Sequence, residues 1–434
     1  MEKINRKNVL IIGNCAKEFA LAKKLSELDC VGNVYVARGN DAMKEFCTCV
    51  DIREDSHIDL LEFAMENSID LTVVSGEKAI KADIAGFFAD NGQLVFGPTA
   101  KSAEICTSKS IGKKFMYKLR IPTAKFGIFE KSNLALDYVR NSAMPVVTKT
   151  DEHRGVNGTL VCSSYSIAKS FIEESFLRGE QRIIIEDYIY GHEFSFYVVT
   201  DGYNALPLSS VANYKFSLDG DGGLLTSGMG CYAPDYKISA ETEQYIMHEM
   251  IFPTLDNLAQ SGTPYVGILG LDAVLTPEND VVALEYNTSL QEHDCQGVLS
   301  LMNENLFYLM QACAMGTFAD DYGYVDMSEE FAVSAVLSAG RRSGSIISGL
   351  DKLDETTKVA HFNTIKNKYL EYETVGDRTL LITKNAKTIS RAVENLYDEI
   401  ELIEFDGKKH RKDLCLVPDY NYSYYIKFYY RGKL

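Results

Sequence analysis

A chain of 434 residues with 46 % hydrophobic and 24 % charged side chains has ordinary globular composition and room for about three domains, which excludes disordered and fibrous classes. Its 44 Lys+Arg against 61 Asp+Glu leave a formal charge of −17. A broad nucleic-acid-binding face is thereby excluded, and any anionic ligand must be held by a few placed lysines and backbone N–H groups. No apolar stretch approaches the ~20 residues that span a bilayer, so no membrane association is expected. The opening MEKINRKNVLIIG runs straight into a strand-like segment without a signal-peptide cleavage region. Ten scattered cysteines without a CxxC pair lead us to expect a reduced, cytoplasmic setting, with neither a disulfide framework nor a structural zinc site.

Residues 9–12 (VLII) form an apolar run closed by Gly13, followed by CAKEFALAKKLSEL at helical spacing. NVYVA, DLLEFAMENS, DLTVVSGE and LVFGPT continue a strand–helix alternation, which predicts a parallel sheet covered by helices on both faces. Such a sheet presents ligand-binding groups at the carboxyl ends of its strands, where Gly13 and Glu77 fall. A helix-rich stretch from Ala100 leads to predicted strands at 145–149, 158–163, 182–187 and 193–200. Residues 219–230, DGDGGLLTSGMG, read as a mobile or anion-cradling loop. A helix is expected near 240–260, then a hairpin GILGLDAVL–TPEND–VVALEYN, then β signals and a helix near 387–398. The tail 416–434 is tyrosine-rich and basic, and reads as an added strand or a self-association patch; a monomer and a homodimer both stay open.

The hairpin carries the chemistry. A turn centred between Glu278 and Asn279 sets Asp272 opposite Glu285, and directly opposed side chains have Cβ atoms about 5 Å apart. Glu285 and Asn287 are two apart and share a face. Three oxygen ligands thus converge, as a hard cation such as Mg²⁺ requires, with Mn²⁺ as an alternative ion. Lys149 closes the apolar strand PVVTK and Lys215 follows LPLSSVANY. Both precede glycine-dense segments, Gly155 and Gly158 in one case and Gly220, Gly222 and Gly223 in the other, where exposed backbone N–H groups suit a phosphate.

Lys109 and Lys149, the IEDY linker, Glu193 and the D…E-x-N hairpin together resemble an ATP-grasp ligase. Within that superfamily the chain is similar to the glycinamide ribonucleotide synthetase (phosphoribosylamine–glycine ligase) family, from Asn8 to about Leu414. IGNCAKEFA, VARGN, SGEKA, FGPT, SKSIGKKF, IPTA, KFSLDGDGGLLTSGMGCYAP and FDGKKHRKDL follow in the family's order. The resemblance implies an α/β ATP-grasp architecture: a Rossmann-like pre-ATP-grasp domain over 1–100, an ATP-grasp domain over 101–328 with a mobile small lobe at about 115–195, and a small β-rich mixed α/β domain over 329–415. It further implies that Lys109 and Lys149 contact ATP phosphates, that Glu186 and the backbone near Ile189 hold adenine, and that Glu193 holds the ribose. Glu285 and Asn287 would bind Mg²⁺, with Asp272 at the first metal-ligand position of ATP-grasp enzymes generally, a position where the glycinamide family often has a non-ligand. Lys215 joins these as a catalytic candidate, and Glu77, Ser289 and the turn Ser227, Gly228, Met229 and Gly230 would face the acceptor substrate.

Several positions depart from the family. The first loop reads Cys15-Ala16-Lys17-Glu18-Phe19 in place of a glycine-rich Arg-Glu-His run, and the phosphate loop Glu152–Gly158 carries Asn157 in place of a lysine. Asn213-Tyr214-Lys215 replaces Asp-His-Lys, and Ser289-Leu290-Gln291-Glu292-His293-Asp294 replaces Arg-Phe-Gly-Asp-Pro-Glu. These departures favour an ATP-dependent carboxylate–amine ligase that works through an acyl phosphate on a different substrate pair. The alternatives are an authentic phosphoribosylamine–glycine ligase of purine biosynthesis and a non-catalytic nucleotide-binding scaffold. Partners are expected to be a small-molecule carboxylate and an amine.

Overall fold

The computed structural model describes residues 6–152, 158–340 and 342–415. The amino-terminal alternation forms a five-stranded, wholly parallel sheet. Its strand order is Thr48–Val50, Val31–Arg38, Lys7–Gly13, Leu71–Val74, Val95–Phe96. Val9, Leu10, Ile11 and Ile12 in the central strand are all fully buried, the continuous apolar run that a sheet covered on both faces demands. Its order reverses at Lys7–Gly13, and the carboxyl end of that strand opens toward the rest of the molecule.

Two antiparallel sheets follow. A four-stranded sheet runs Phe126–Phe129, Ile183–Asp187, Val146–Thr150, Thr159–Cys162. Helices Ser132–Arg140 and Tyr165–Leu177 close its core through Ala135, Val139, Ala168 and Ile172. An eight-stranded sheet runs Val281–Asn287, Val266–Leu275, His192–Asp201, Ala205–Leu218, Gly222–Ala233, Phe331–Ser338, Arg378–Ala386, Lys358–His361. Phe331–Ser338 pairs directly with Gly222–Ala233, so the sheet continues across the boundary expected at 328/329. Helix Ile389–Leu402 packs on its far half through Ile389, Ala392, Leu396 and Ile400.

The glycine-dense segment 219–230 is not a mobile cradle. Gly222–Ala233 is a twelve-residue strand, and Asp219–Asp221 is only the tight turn of its hairpin. The tip is tied down from the far end of the chain: Arg411 Nη1 donates to Asp221 Oδ1 at 2.9 Å and to the Phe216 carbonyl at 3.2 Å, and Gly220 N donates to Asp413 Oδ2 at 2.8 Å. Arg411 is only 1 % exposed and lies over the Tyr214 ring. The tail 416–434 lies outside the described residues. Among the described residues no helix is long and apolar enough to cross a membrane, and all ten cysteines are free thiols.

Candidate active site

A cleft of about 520 Å³ lies between the three sheets. It is lined by Lys109, Lys149, Glu186, Ile189, Glu193, Lys215, Asp272, Glu285 and Asn287, and at its other end by Lys17, Glu77, Ser227, Ser289, Glu292 and Arg378. Twelve of the residues expected from sequence therefore line one cleft, although they span positions 77 to 289.

At one end, ammonium and carboxylate groups alternate. Lys109 opens the helix Lys109–Leu119, capped by Ser108, and its Nζ sits 2.5 Å from Glu285 Oε2. Lys149, on the strand Val146–Thr150, reaches Glu186 Oε2 at 3.2 Å and Glu285 Oε2 at 3.8 Å. Lys113, one turn along the Lys109 helix, was not singled out from sequence. It is 2 % exposed, lies 3.3 Å from Glu186 Oε2 and donates to Thr123 Oγ1 at 2.7 Å. Its only sequence signal is its spacing of four from Lys109, which puts both on one helix face.

Burial pushes the Lys113 pKa down to about 8, with Glu186 opposing and Lys149 adding to the fall. For Lys149 burial works the same way, but Glu186 and Glu285 outweigh it and its pKa lies above the ordinary lysine value. Burial favours the neutral acid at Glu186; Lys113 and Lys149 overcome it and hold the carboxyl below the usual range. Glu186 Oε1 is buried and has no hydrogen-bond partner among the described residues. An incoming N–H donor would satisfy it.

The hairpin pairs as expected, by an unexpected route. Leu275, Val274 and Ala273 pair with Val281, Val282 and Ala283, a register that by itself would set Asp272 against Leu284. A bulge leaves Leu284 unpaired and restores Asp272 opposite Glu285. Asn287 Nδ2 donates to Asp272 Oδ1 at 2.9 Å, so its Oδ1 is the amide end left for a cation. Among the described residues no group of three or more His, Cys, Asp or Glu is disposed to hold a metal ion alone. Glu285 and Asn287 nonetheless suit Mg²⁺, which commonly takes one or two protein oxygens and completes its shell with phosphate oxygens and water. Asp272 is 1 % exposed and already surrounded by donors.

Lys215 Nζ bridges Glu193 Oε1 at 2.5 Å and Asp272 Oδ2 at 3.0 Å. Burial disfavours its charge, but Asp272 and Glu193 more than compensate, and its pKa stands well above the ordinary value.

The other end of the cleft contains cations that the sequence reading did not place together. Lys17 Nζ donates to Ser289 Oγ at 3.1 Å. Arg378 Nη1 donates to Glu292 Oε2 at 3.0 Å and Nη2 to the Gly228 carbonyl at 3.2 Å, while its buried Nε has no acceptor among the described residues. Nothing in GDRTLLITK marks Arg378 as a site residue; strand pairing across the large sheet brings it there. Glu77 also lines the cleft and pairs with Lys81 at 2.7 Å.

Other candidates lie elsewhere. Gly228, Met229 and Gly230 do not line the cleft. A Cβ at Gly228 would collide with the His293 ring and one at Gly230 with the Ser334 carbonyl, so these glycines serve close packing. Met229 is buried at 6 % exposure. Gly158 is also buried away from the cleft, its carbonyl accepting from Thr150 Oγ1 at 3.4 Å. Gly155 and Asn157 lie outside the described residues.

Two family models match the chain: phosphoribosylglycinamide synthetase, N domain, over residues 7–106, and phosphoribosylglycinamide synthetase, ATP-grasp (A) domain, over residues 107–295. Phosphoribosylamine–glycine ligase of Neisseria meningitidis serogroup B is 33 % identical over 417 residues, covering 94 % of this chain and 98 % of that protein. The crystal structure of phosphoribosylamine–glycine ligase from Thermotoga maritima superposes with a TM-score of 0.78 at 25 % identity, covering 94 % and 99 % of the two chains. The biotin carboxylase domain of Hydrogenobacter thermophilus 2-oxoglutarate carboxylase, crystallised with MgADP and bicarbonate, gives a TM-score of 0.71 at 15 % identity over 93 % and 91 %, a likeness of fold alone.

Proposed function

The chain belongs to the phosphoribosylglycinamide synthetase family of ATP-grasp ligases, and from that premise we propose that it joins the carboxylate of glycine to the amine of phosphoribosylamine, converting ATP to ADP and phosphate. The expectation of a different substrate pair finds no support in relatives that match the chain over nearly its whole length under one name. It rested on a cation lost at Ser289 and on the altered first loop. Lys17 and Arg378 supply cationic donors at that same end of the cleft. The observation that carries the reading is one cleft with Lys109 and Lys149 at one end and Lys17 and Arg378 at the other, which supports a triphosphate at the first and a sugar phosphate at the second.

In this reading Lys109 and Lys149 neutralise ATP phosphates, and the unpartnered Glu186 Oε1 accepts from the amino group of the base. Glu285 and Asn287 hold Mg²⁺, which offsets charge on the transferring phosphoryl group. Glycine's carboxylate attacks the γ-phosphorus, ADP leaves, and the amine of phosphoribosylamine then displaces phosphate from the acyl phosphate to form the amide. The chain's contribution to the first step is alignment and charge neutralisation. Lys17 and Arg378 anchor the sugar phosphate so that its amine faces the activated glycine.

The test is growth of a purine auxotroph lacking this ligase. Robust growth without purine is expected from the wild-type gene and none from Glu285→Gln. Failure to complement, together with ADP release on some other amine–carboxylate pair, would return the different substrate pair to first place.

A further inference from the structure

Asp272 occupies the strand position from which a third metal ligand would come, yet its surroundings are those of a buried acceptor already in use. Oδ1 accepts from Ser195 Oγ at 2.6 Å, Asn287 Nδ2 at 2.9 Å and Gln291 Nε2 at 3.1 Å. Oδ2 accepts from Lys215 Nζ at 3.0 Å and Gln291 Nε2 at 3.2 Å. A carboxylate offers about four lone-pair sites, and these contacts occupy them. Coordinating a cation would require Asp272 to shed Lys215 or Asn287, leaving polar groups unpaired at 1 % exposure.

Its partners have support of their own. Asn213 Nδ2 donates to Ser195 Oγ at 2.6 Å, and His293 Nε2 contacts Asn213 Oδ1 at 3.2 Å. Gln291 N lies 3.3 Å from Tyr197 Oη. Asp272 is thus the centre of a hydrogen-bonded set that reaches the cleft at two places. One is Asn287, whose amide it orients oxygen-outward. The other is Lys215, whose ammonium it holds beside Glu193.

Resting on the proposed ATP-grasp site, we infer that Asp272 is a positioning residue that aims Asn287 and Lys215 and does not itself bind the metal ion. Asp272→Asn separates the two roles. The amide keeps an oxygen that can accept from Asn287 Nδ2, but it loses the charge opposite Lys215.

The measurement is calorimetric affinity for a non-hydrolysable ATP analogue with and without Mg²⁺, on wild type, Asp272→Asn, Glu285→Gln and Gln291→Met, alongside steady-state kinetics. Asp272→Asn is expected to keep the wild-type Mg²⁺ enhancement within about twofold and to lower kcat by about 10–100-fold, the usual cost of removing an outer partner. Glu285→Gln is expected to lose most of the enhancement. A collapse in Asp272→Asn equal to that in Glu285→Gln would make Asp272 a ligand and overturn the inference; an unchanged kcat would overturn the positioning role.

Should Asp272→Asn fail to fold, Gln291→Met decides. It removes donors from both oxygens of Asp272, so a metal ligand would bind Mg²⁺ more tightly, whereas a positioning residue leaves the enhancement as it was and lowers kcat. A wild type whose analogue binding ignores Mg²⁺ would overturn the functional reading itself, an outcome distinct from a loss confined to the Asp272 variant.

Discussion

Lys109, at the first turn of its helix, and Glu285, on the edge strand of the large sheet, meet with Nζ and Oε2 2.5 Å apart. Each neutralises the other's charge, and in the proposed function a nucleotide's phosphates would take the lysine and a metal ion the carboxylate. The pair keeps two mostly buried charges matched.

The first prediction follows from that exchange. Glu285→Gln preserves the shape but not the charge, and turnover should fall by about 10²-fold or more. Thermal shift tests the same point without turnover. ATP with Mg²⁺ should raise the melting temperature of wild type above either alone, by mass action, and the added effect of Mg²⁺ should vanish in the variant. A wild-type shift unaffected by EDTA would remove the metal from the site.

Lys149 and Lys118 make a matched pair of controls. Lys149 is 5 % exposed and faces two carboxylates, whereas Lys118, among the described residues, reaches only Asn257 Oδ1, at 3.5 Å on the surface. Lys149→Met should weaken binding of an ATP analogue by about 1.5–3 kcal/mol, the value of a charged hydrogen bond. Lys118→Met should stay within about 0.5 kcal/mol. Equal affinities in a titration would take Lys149 out of the nucleotide site.

Arg378→Met separates the two ends of the cleft. It removes the guanidinium at the proposed acceptor end and leaves the lysines around Glu186 untouched. KM for phosphoribosylamine should rise by about tenfold or more, because charge-assisted contacts to phosphate are strong, while KM for ATP stays near wild type. A rise in both together would mean that Arg378 acts through the fold.

Asp294 supplies a pH test. Burial raises its carboxyl to about 7, with the Tyr197 hydroxyl bond, 2.6 Å to Oδ2, opposing. Its folded pKa lies above the unfolded one, so between about pH 4 and 7 the folded state binds the extra proton and stability falls as pH rises. The slope is about 1.4 kcal/mol per pH unit. Asp294→Asn should remove that slope. Chemical denaturation of both proteins from pH 4 to pH 8 should show wild type losing stability relative to the variant, and parallel curves would show that Asp294 does not titrate in this range.

What could be read from the sequence was local or periodic. The apolar run 9–12, the alternation around it and the E-x-N spacing on one strand express the helical and strand repeats directly, and they located the parallel sheet and the Glu285–Asn287 face. Ordered motifs along the chain then led to the family. The glycine-dense stretch 219–230 misled, because glycine signals both anion cradles and close packing; only the His293 ring beside Gly228 and the Ser334 carbonyl beside Gly230 distinguish them.

Tertiary structure alone brought together further side chains that no local pattern marks. Arg378 arrives by strand pairing, Lys113 by the docking of its helix on Glu186, and Arg411 by crossing 190 residues to lock a hairpin tip. It also decided what a correctly placed residue can do. Asp272 lies opposite Glu285 by way of the bulge at Leu284, yet donors from three other segments of the chain, Ser195, Lys215 and Gln291, fill its lone pairs. Pairing register depends on residues near in sequence and so is written locally. The saturation of a buried carboxylate depends on long-range packing, which a strand's own residues do not encode.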